Sequence, residues 1–522
     1  MNRCLVWLGL LASAGCSTAQ PEPVEDSAPL EAAHTVGTEP DVCDGQCSPI
    51  LIDHDKSLVV TDPPILARFP LRRVLDQLIT MSGASNTPDD VWKQWWLSQG
   101  QRQVWYPPHW PACDDPNPFP SQVRDFGFEC PRAEEQLSHH PLDTHVPIAL
   151  FNRFDLAPLD GANCGEYRIV YAADPGSGVP GQNLIIFEGV LPNPNPDCGL
   201  AGCVPVAEFW QSLTTEPDVN LRADHLDRFY FDGICGFPPV VRPEHYGMRC
   251  DGGGGGGYGG GCGQIRTNQF LQPPWTLREF RLAMECPNGS CELMVKQQPV
   301  AQNPHPDLWD SGDSDHGALH GSLLGAQLAR NLPMPDGINL IAAETDPRLN
   351  ASESIAEPFP GMNRYDADPV FENAINLAIA ALPGSPVGNA IDIEERVTAQ
   401  SCGGCHELSN FSPLGETSGG PSLIWPPSLG FKHVDIGGAL SPALQLEFLP
   451  WREQVLHNFL AASCGHACFN QQVNQMLIKD VVAPVPDQPE REVRFNVVTW
   501  DEWVRWAGDA PVADTLSGSR TH

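Results

Sequence analysis

Eighteen cysteines constrain this chain more than any other feature, because each pairing would fix which backbone segments lie together. Cys402 and Cys405 stand in the pentapeptide Cys402-Gly403-Gly404-Cys405-His406, and Cys4 and Cys16 lie in or beside an N-terminal apolar stretch. The rest fall mostly as close neighbours: Cys43/Cys47, Cys113/Cys130, Cys198/Cys203, Cys250/Cys262, Cys286/Cys291 and Cys464/Cys468. Cys164 and Cys235 are left to pair with each other. An even set clustered this way is what an oxidising compartment produces, so neighbour pairing is the expected framework.

The N-terminus speaks to that compartment. Arg3 precedes the apolar run Leu5–Gly15, which is far shorter than the roughly 20 residues that span a bilayer. Residues 1–15 therefore read as a signal peptide. Ser13-Ala14-Gly15-Cys16 resembles a bacterial lipobox, with Ser13 where that family prefers Leu, and the resemblance implies a lipid on Cys16. The alternative is cleavage between Ala19 and Gln20, which releases a soluble secreted protein. Residues 16–48 are acidic, rich in Pro and Ala, and poor in large apolar side chains, as in a tether. The expected location is outside the cytoplasm, in the periplasm or at the cell surface, anchored to a membrane by that lipid.

Thirty Lys and Arg against 65 Asp and Glu give a net charge of −35, which argues against nucleic acid as a partner. It suits a solvated exported protein or one that docks basic partners. With 48 Gly and 53 Pro, long irregular connections are expected between elements. No internal repeat is evident, and no stretch beyond the signal approaches membrane-span length.

Periodicity divides the remainder into three regions. Residues 49–139 read as helical: Phe69, Leu71, Val74, Leu75, Leu78 and Ile79 approximate one buried helix face, and Thr87-Pro88 is a helix start. Trp92, Trp95 and Trp96 follow, placed for core packing or for stacking a ligand. Residues 140–300 read mainly as β, with runs at 147–156, 166–172, 183–191, 264–270, 276–284 and 292–300. Residues 301–522 turn helical again at 318–332, 368–382, 390–400 and 451–463. The fold class predicted is α+β and multidomain: a disulfide-rich antiparallel body, sandwich or barrel-like, followed by a mainly α domain. The glycine tract 252–257 lacks the Lys-Ser/Thr of a phosphate loop, and Asp310, Asp313 and Asp315 fail the calcium-loop template.

Two thiols three residues apart lie on one side of a helical turn, so both can reach the vinyl groups along one edge of a porphyrin. The adjacent His406 then falls under the iron. With its helical lead-in, Gly388–His406 resembles the opening of a c-type cytochrome domain, over about residues 385–480. The resemblance implies covalent haem c on Cys402 and Cys405, His406 as one axial ligand, and a second axial Met or His. His433 and Met476 are the candidates, in that order. His457 points away from the apolar side of its helix, and Met334 precedes the motif. A zinc site joining Cys402, Cys405 and His406 to Cys464, His466 or Cys468 is the minority alternative. A redox dithiol is weaker still, since no Lys or Arg stands between Val397 and Asn410.

Two functional expectations follow. One is an exported, lipid-anchored monohaem cytochrome-like protein that passes electrons to a redox partner or reacts with a small oxidant. The other is a haem-free, disulfide-rich surface lipoprotein binding a carbohydrate, peptide or matrix partner. No catalytic residues are identifiable, and the question of enzyme activity stays open.

Overall fold

The computed structural model describes residues 50–100, 132–158, 160–178, 183–248, 263–269, 271, 275–286, 289–300, 354–355, 369–380, 389–399, 403–416, 422–463, 482–485 and 488–494. The expected signal peptide, Cys16 and the tether lie outside these residues. So do Cys43, Cys47, Cys113, Cys130, Cys250, Cys262, Cys402, Cys464, Cys468 and Met476.

An antiparallel meander organises the chain. Its strands are β1 (Val59–Val60), β2 (His145–Arg153), β3 (Asn163–Ala173), β4 (Leu184–Pro192), β5 (Gln264–Gln269), β6 (Thr276–Glu285) and β7 (Glu292–Gln298), hydrogen-bonded in that order. A short β8 (Ser354–Ile355) pairs with β6. The six long strands coincide with the six β runs read from sequence. Gly165 sits where the β3 register shifts against β4; its φ of +87° and the Arg153 carbonyl 2.6 Å from any added Cβ leave room only for glycine.

The sheet is a helix-backed layer rather than the expected sandwich or barrel. Helices α1 (Pro63–Leu66), α2 (Leu71–Ser82) and α3 (Pro88–Leu97) precede β2. Phe69, Leu71, Val74, Leu75, Leu78 and Ile79 are all buried, as their spacing predicts. Thr87 caps α3 through a reciprocal bond with Asp90, and Pro88 takes the first helical position. Helices α4 (Val204–Thr215) and α5 (Val219–Phe231) fall inside the region read as β. Their signal is helical all the same: Val206, Phe209, Trp210 and Leu213 recur at three- and four-residue spacing and are buried.

One sheet face is apolar and carries Ile169, Tyr171, Ile185, Phe187 and Ile265. Trp95 meets Phe187 edge-on at 6.0 Å, Trp210 stacks on Tyr167 at 5.8 Å, and Tyr171 donates to the Phe69 carbonyl at 2.9 Å. Trp92, Trp95 and Trp96 are thus interior and offer no platform to a ligand. Helices α6 (Pro369–Ala380), α7 (Ala390–Ala399) and α8 (Leu449–Ser463) come from the C-terminal region, with a small hairpin of β9 (Pro413–Glu416) and β10 (Ser422–Ile424). A single apolar cluster includes residues from all three regions, from Leu58 to Leu460.

The disulfide framework departs from neighbour pairing. Cys286–Cys291 forms as expected, but Cys203 bonds to Cys164, 39 residues away, instead of to Cys198. Cys198 and Cys235 are disulfide-bonded too, and neither can bond to the partner that proximity assigns it. The reason is topological: β3 begins beside the turn that enters α4, so Cα atoms far apart in sequence come within 5.3 Å. Non-reducing peptide mapping is expected to link the Cys164 peptide to that of Cys203; a Cys164–Cys235 crosslink contradicts the fold.

Two buried histidines give the fold a pH signature. Burial pushes His145 down to about 4 against the opposing hydrogen bond from Asn183, and pushes His245 down to about 4 against the Val240 carbonyl. A depressed folded pKa means that the stability from each neutral ring is complete above about 6.5 and is lost as pH falls toward 4. The expected loss is up to about 3 kcal/mol per ring. His145→Gln therefore flattens the dependence of the urea midpoint between pH 6.5 and 5, and an unchanged slope contradicts this reading.

Candidate functional site

Helix α7 leads into a wide helical turn, Gly404–Leu408, which carries the second half of the Cys-x-x-Cys-His motif. Ala390 and Ile393 are buried on one face of α7. Arg396 is buried as well and donates from Nε to the Leu414 carbonyl at 2.7 Å, tying α7 to β9. Side chains from the loop after β10 hold the turn in place. Ser428 donates to the His406 carbonyl at 2.6 Å, as does Asn410 Nδ2 at 3.1 Å, and Asn410 Oδ1 accepts from the Ser428 amide at 3.0 Å.

This stitching brings three motif-related side chains together. The Cys405 thiol is fully buried, with its sulfur 3.4 Å from His433 Nε2. The His406 and His433 rings lie 4.5 Å apart, tilted by 38°. His433 Nδ1 pairs with Ser441 Oγ at 2.8 Å, and Ser441 itself is fully buried. The Ser441 hydroxyl also accepts from the Leu444 amide at 3.1 Å, while the Ser441 amide donates to the His433 carbonyl at 2.8 Å. These three bonds fix the imidazole so that Nε2 faces the motif. Phe448 closes one side, 5.6 Å from both His433 and the buried Trp425.

His406 Nδ1 is out of water and lacks a hydrogen-bond partner. Burial of the ring, helped by the positive charge of Arg266 and opposed by the Gly430 carbonyl, pushes its pKa down to about 4. The ring is therefore neutral near pH 7, the form in which an imidazole ligates a metal. His457 is exposed, in keeping with its place on its helix.

Beneath this group lies the second face of the sheet. Register places Phe151, Arg153, Glu166, Arg168, Glu188, Gln264, Arg266 and Glu279 on it, and every one is buried. Glu188 joins Arg168 at 3.2 Å and accepts from Gln264 at 2.9 Å, and it also pairs with Arg266. Arg153 grips Asp155 through Nε and Nη2, each at 2.9 Å. Burial raises the Asp155 carboxyl, but Arg153 and Arg452 outweigh it and leave the group below the usual carboxylate range. The same balance, set by Arg168 and Arg266, holds Glu188 ionised.

Sequence reading placed Cys405, His406 and His433 in one site, and the structure brings these three together. It missed Ser441, Arg266, Phe448 and Arg452. A serine in a loop carries no signal of its own, and charged residues alternating along strands read as a solvated face. Among the described residues no group of three His, Cys, Asp or Glu has the geometry of a metal site, and the remaining zinc candidates lie outside those residues. Among the described residues no helix is long and apolar enough to cross a membrane.

No protein-family model matches the chain, and no curated protein or solved structure matches it.

Removing the Ser441 hydroxyl leaves His433 Nδ1 and the Leu444 amide without their partner. Ser441→Ala is expected to cost about 1–3 kcal/mol. It should also turn a single His433 tautomer into a mixture, read by nitrogen NMR of the ring. A single unchanged tautomer in the variant contradicts the positioning role.

Proposed function

We propose that this chain is an exported monohaem c-type cytochrome-like protein, lipid-anchored through Cys16 and acting in electron transfer outside the cytoplasm. The observation that carries the proposal is the gathering of Cys405, His406 and His433, with Ser441 orienting His433 toward the motif. The donor set fits the group: a motif thiol, a neutral buried imidazole whose Nδ1 lacks a partner, and a second imidazole held by a buried hydroxyl.

In this reading Cys402 and Cys405 would hold the haem through thioether bonds, and His406 and His433 would supply imidazole ligands to its iron. Once bound, the haem supplies a one-electron carrier. Phe448 and Trp425 keep water from that side. The buried Arg266 near His406 adds positive charge, which would favour the more reduced state of a bound haem. Two imidazole ligands would favour a redox partner protein over a small oxidant. The net charge of −35 suits a partner with a basic surface. Trp92, Trp95 and Trp96 are buried and give no support to the alternative of a lipoprotein binding a carbohydrate, peptide or matrix partner, which then rests on the acidic tether and the disulfide-stapled loops.

The test is a pyridine haemochrome spectrum of protein exported from a host that matures c-type cytochromes, beside a Cys402→Ala/Cys405→Ala variant. Covalent haem in the wild type and none in the variant is expected. A colourless wild type in a host that matures a control cytochrome overturns the proposal and leaves a haem-free lipoprotein.

A further inference from the structure

Arg452 is an interior cation with too little to hold it. It lies on α8, is 4% exposed, and among the described residues donates no hydrogen bond. Its one ion pair is long, 4.0 Å from Nε to Asp155 Oδ1, and that carboxylate is already gripped by Arg153 through both oxygens. The remaining contacts are two ring faces, Phe151 at 5.9 Å and Phe448 at 5.8 Å. Arg452 Nη1 and Arg153 Nη1 are both buried without a partner. A guanidinium offers five donors, and leaving it buried and unpaired is among the most costly arrangements in a protein interior. The neighbouring carboxylates are already engaged by other groups: Asp155 by Arg153, Glu166 by Arg168, Glu188 by Arg168 and Arg266, and Glu279 by Gln298.

What Arg452 lacks is a planar acceptor for its guanidinium donors. Carboxylate matches the guanidinium fork, and Phe151 and Phe448 frame the cation with apolar surface. Phe448 also packs on His433, so Arg452 stands one ring away from the Cys405–His406–His433 group. We propose that Arg452, with Arg153, forms an anion-receiving site that binds a carboxylate beside that group. The carboxylate has two possible sources: a free small acid, or an acidic side arm of a tetrapyrrole held by the motif. Only the second rests on the haem proposal.

Acetate is the probe for the first source, added to the full exported chain in a buffer otherwise free of small carboxylates. If the site takes a free acid, acetate raises the melting temperature of the wild type by about 2 °C or more, and the shift is lost in Arg452→Met. Because that variant removes an unpaired buried charge, its melting temperature without acetate should be no lower than that of the wild type. Should Arg452→Met not fold, Arg452→Lys serves, with the shift reduced but present. For the second source, the haem-loaded chain shows no acetate shift, and Arg452→Met displaces the propionate bending modes in its resonance Raman spectrum. A protein without haem still tests the first arm, so failure of the haem reading and failure of this site are distinguishable. No acetate shift without haem, together with unchanged propionate modes with haem, overturns the proposal.

Discussion

Burial of the charged sheet face is the constraint on which the rest of the structure depends. Arg153, Glu166, Arg168, Glu188, Gln264, Arg266 and Glu279 would normally form the wet side of an antiparallel sheet, yet each is less than 9% exposed. Taking such groups from water costs several kcal/mol per ion, which only close pairing and full hydrogen bonding offset. The strand register supplies part of that pairing, since Arg168 lies opposite Glu188 and bonds it, while Arg153 takes Asp155 two residues along its own chain. The cover comes from the C-terminal region: Phe431 stacks on Trp275 at 4.4 Å and Phe459 packs on Phe154 at 4.6 Å. Buried ion pairs are weak sources of stability, and here they form a charged layer next to the Cys405–His406–His433 group.

Seen from the site, the two faces of the sheet divide the work. The apolar face builds a rigid layer with the N-terminal helices through Trp95, Trp210 and Tyr171. The polar face shapes the electrostatic environment of His406, where Arg266 adds to burial in disfavouring the protonated ring. Between them the hydroxyl of Ser441 decides where His433 points. Position, protonation and field are thus set by three separate parts of the chain.

The local elements were legible in the sequence because each depends on its own neighbours. Thr87-Pro88 starts a helix wherever it stands, and β-branched runs such as 166–172 form strands in many contexts. The proximity of His433 to the motif was legible to a lesser degree, from its place after an aromatic loop. Long-range facts were not legible. Cys164 meets Cys203 only because β3 starts beside the approach to α4, and alternation along β3 to β5 does not reveal that a second layer covers the charged side. Arg452 shows the same limit: its helical spacing beside Val455 and Leu456 places it inside, but its charge argues for the surface.

The central claim, that Cys405, His406 and His433 form one haem-holding group next to this charged layer, is tested most directly by near-infrared magnetic circular dichroism of the oxidised exported protein. The account predicts a low-spin ferric haem with the charge-transfer signature of two histidines, lost when His433 is replaced by alanine. A histidine–methionine signature, or a two-histidine signature that survives that replacement, contradicts it.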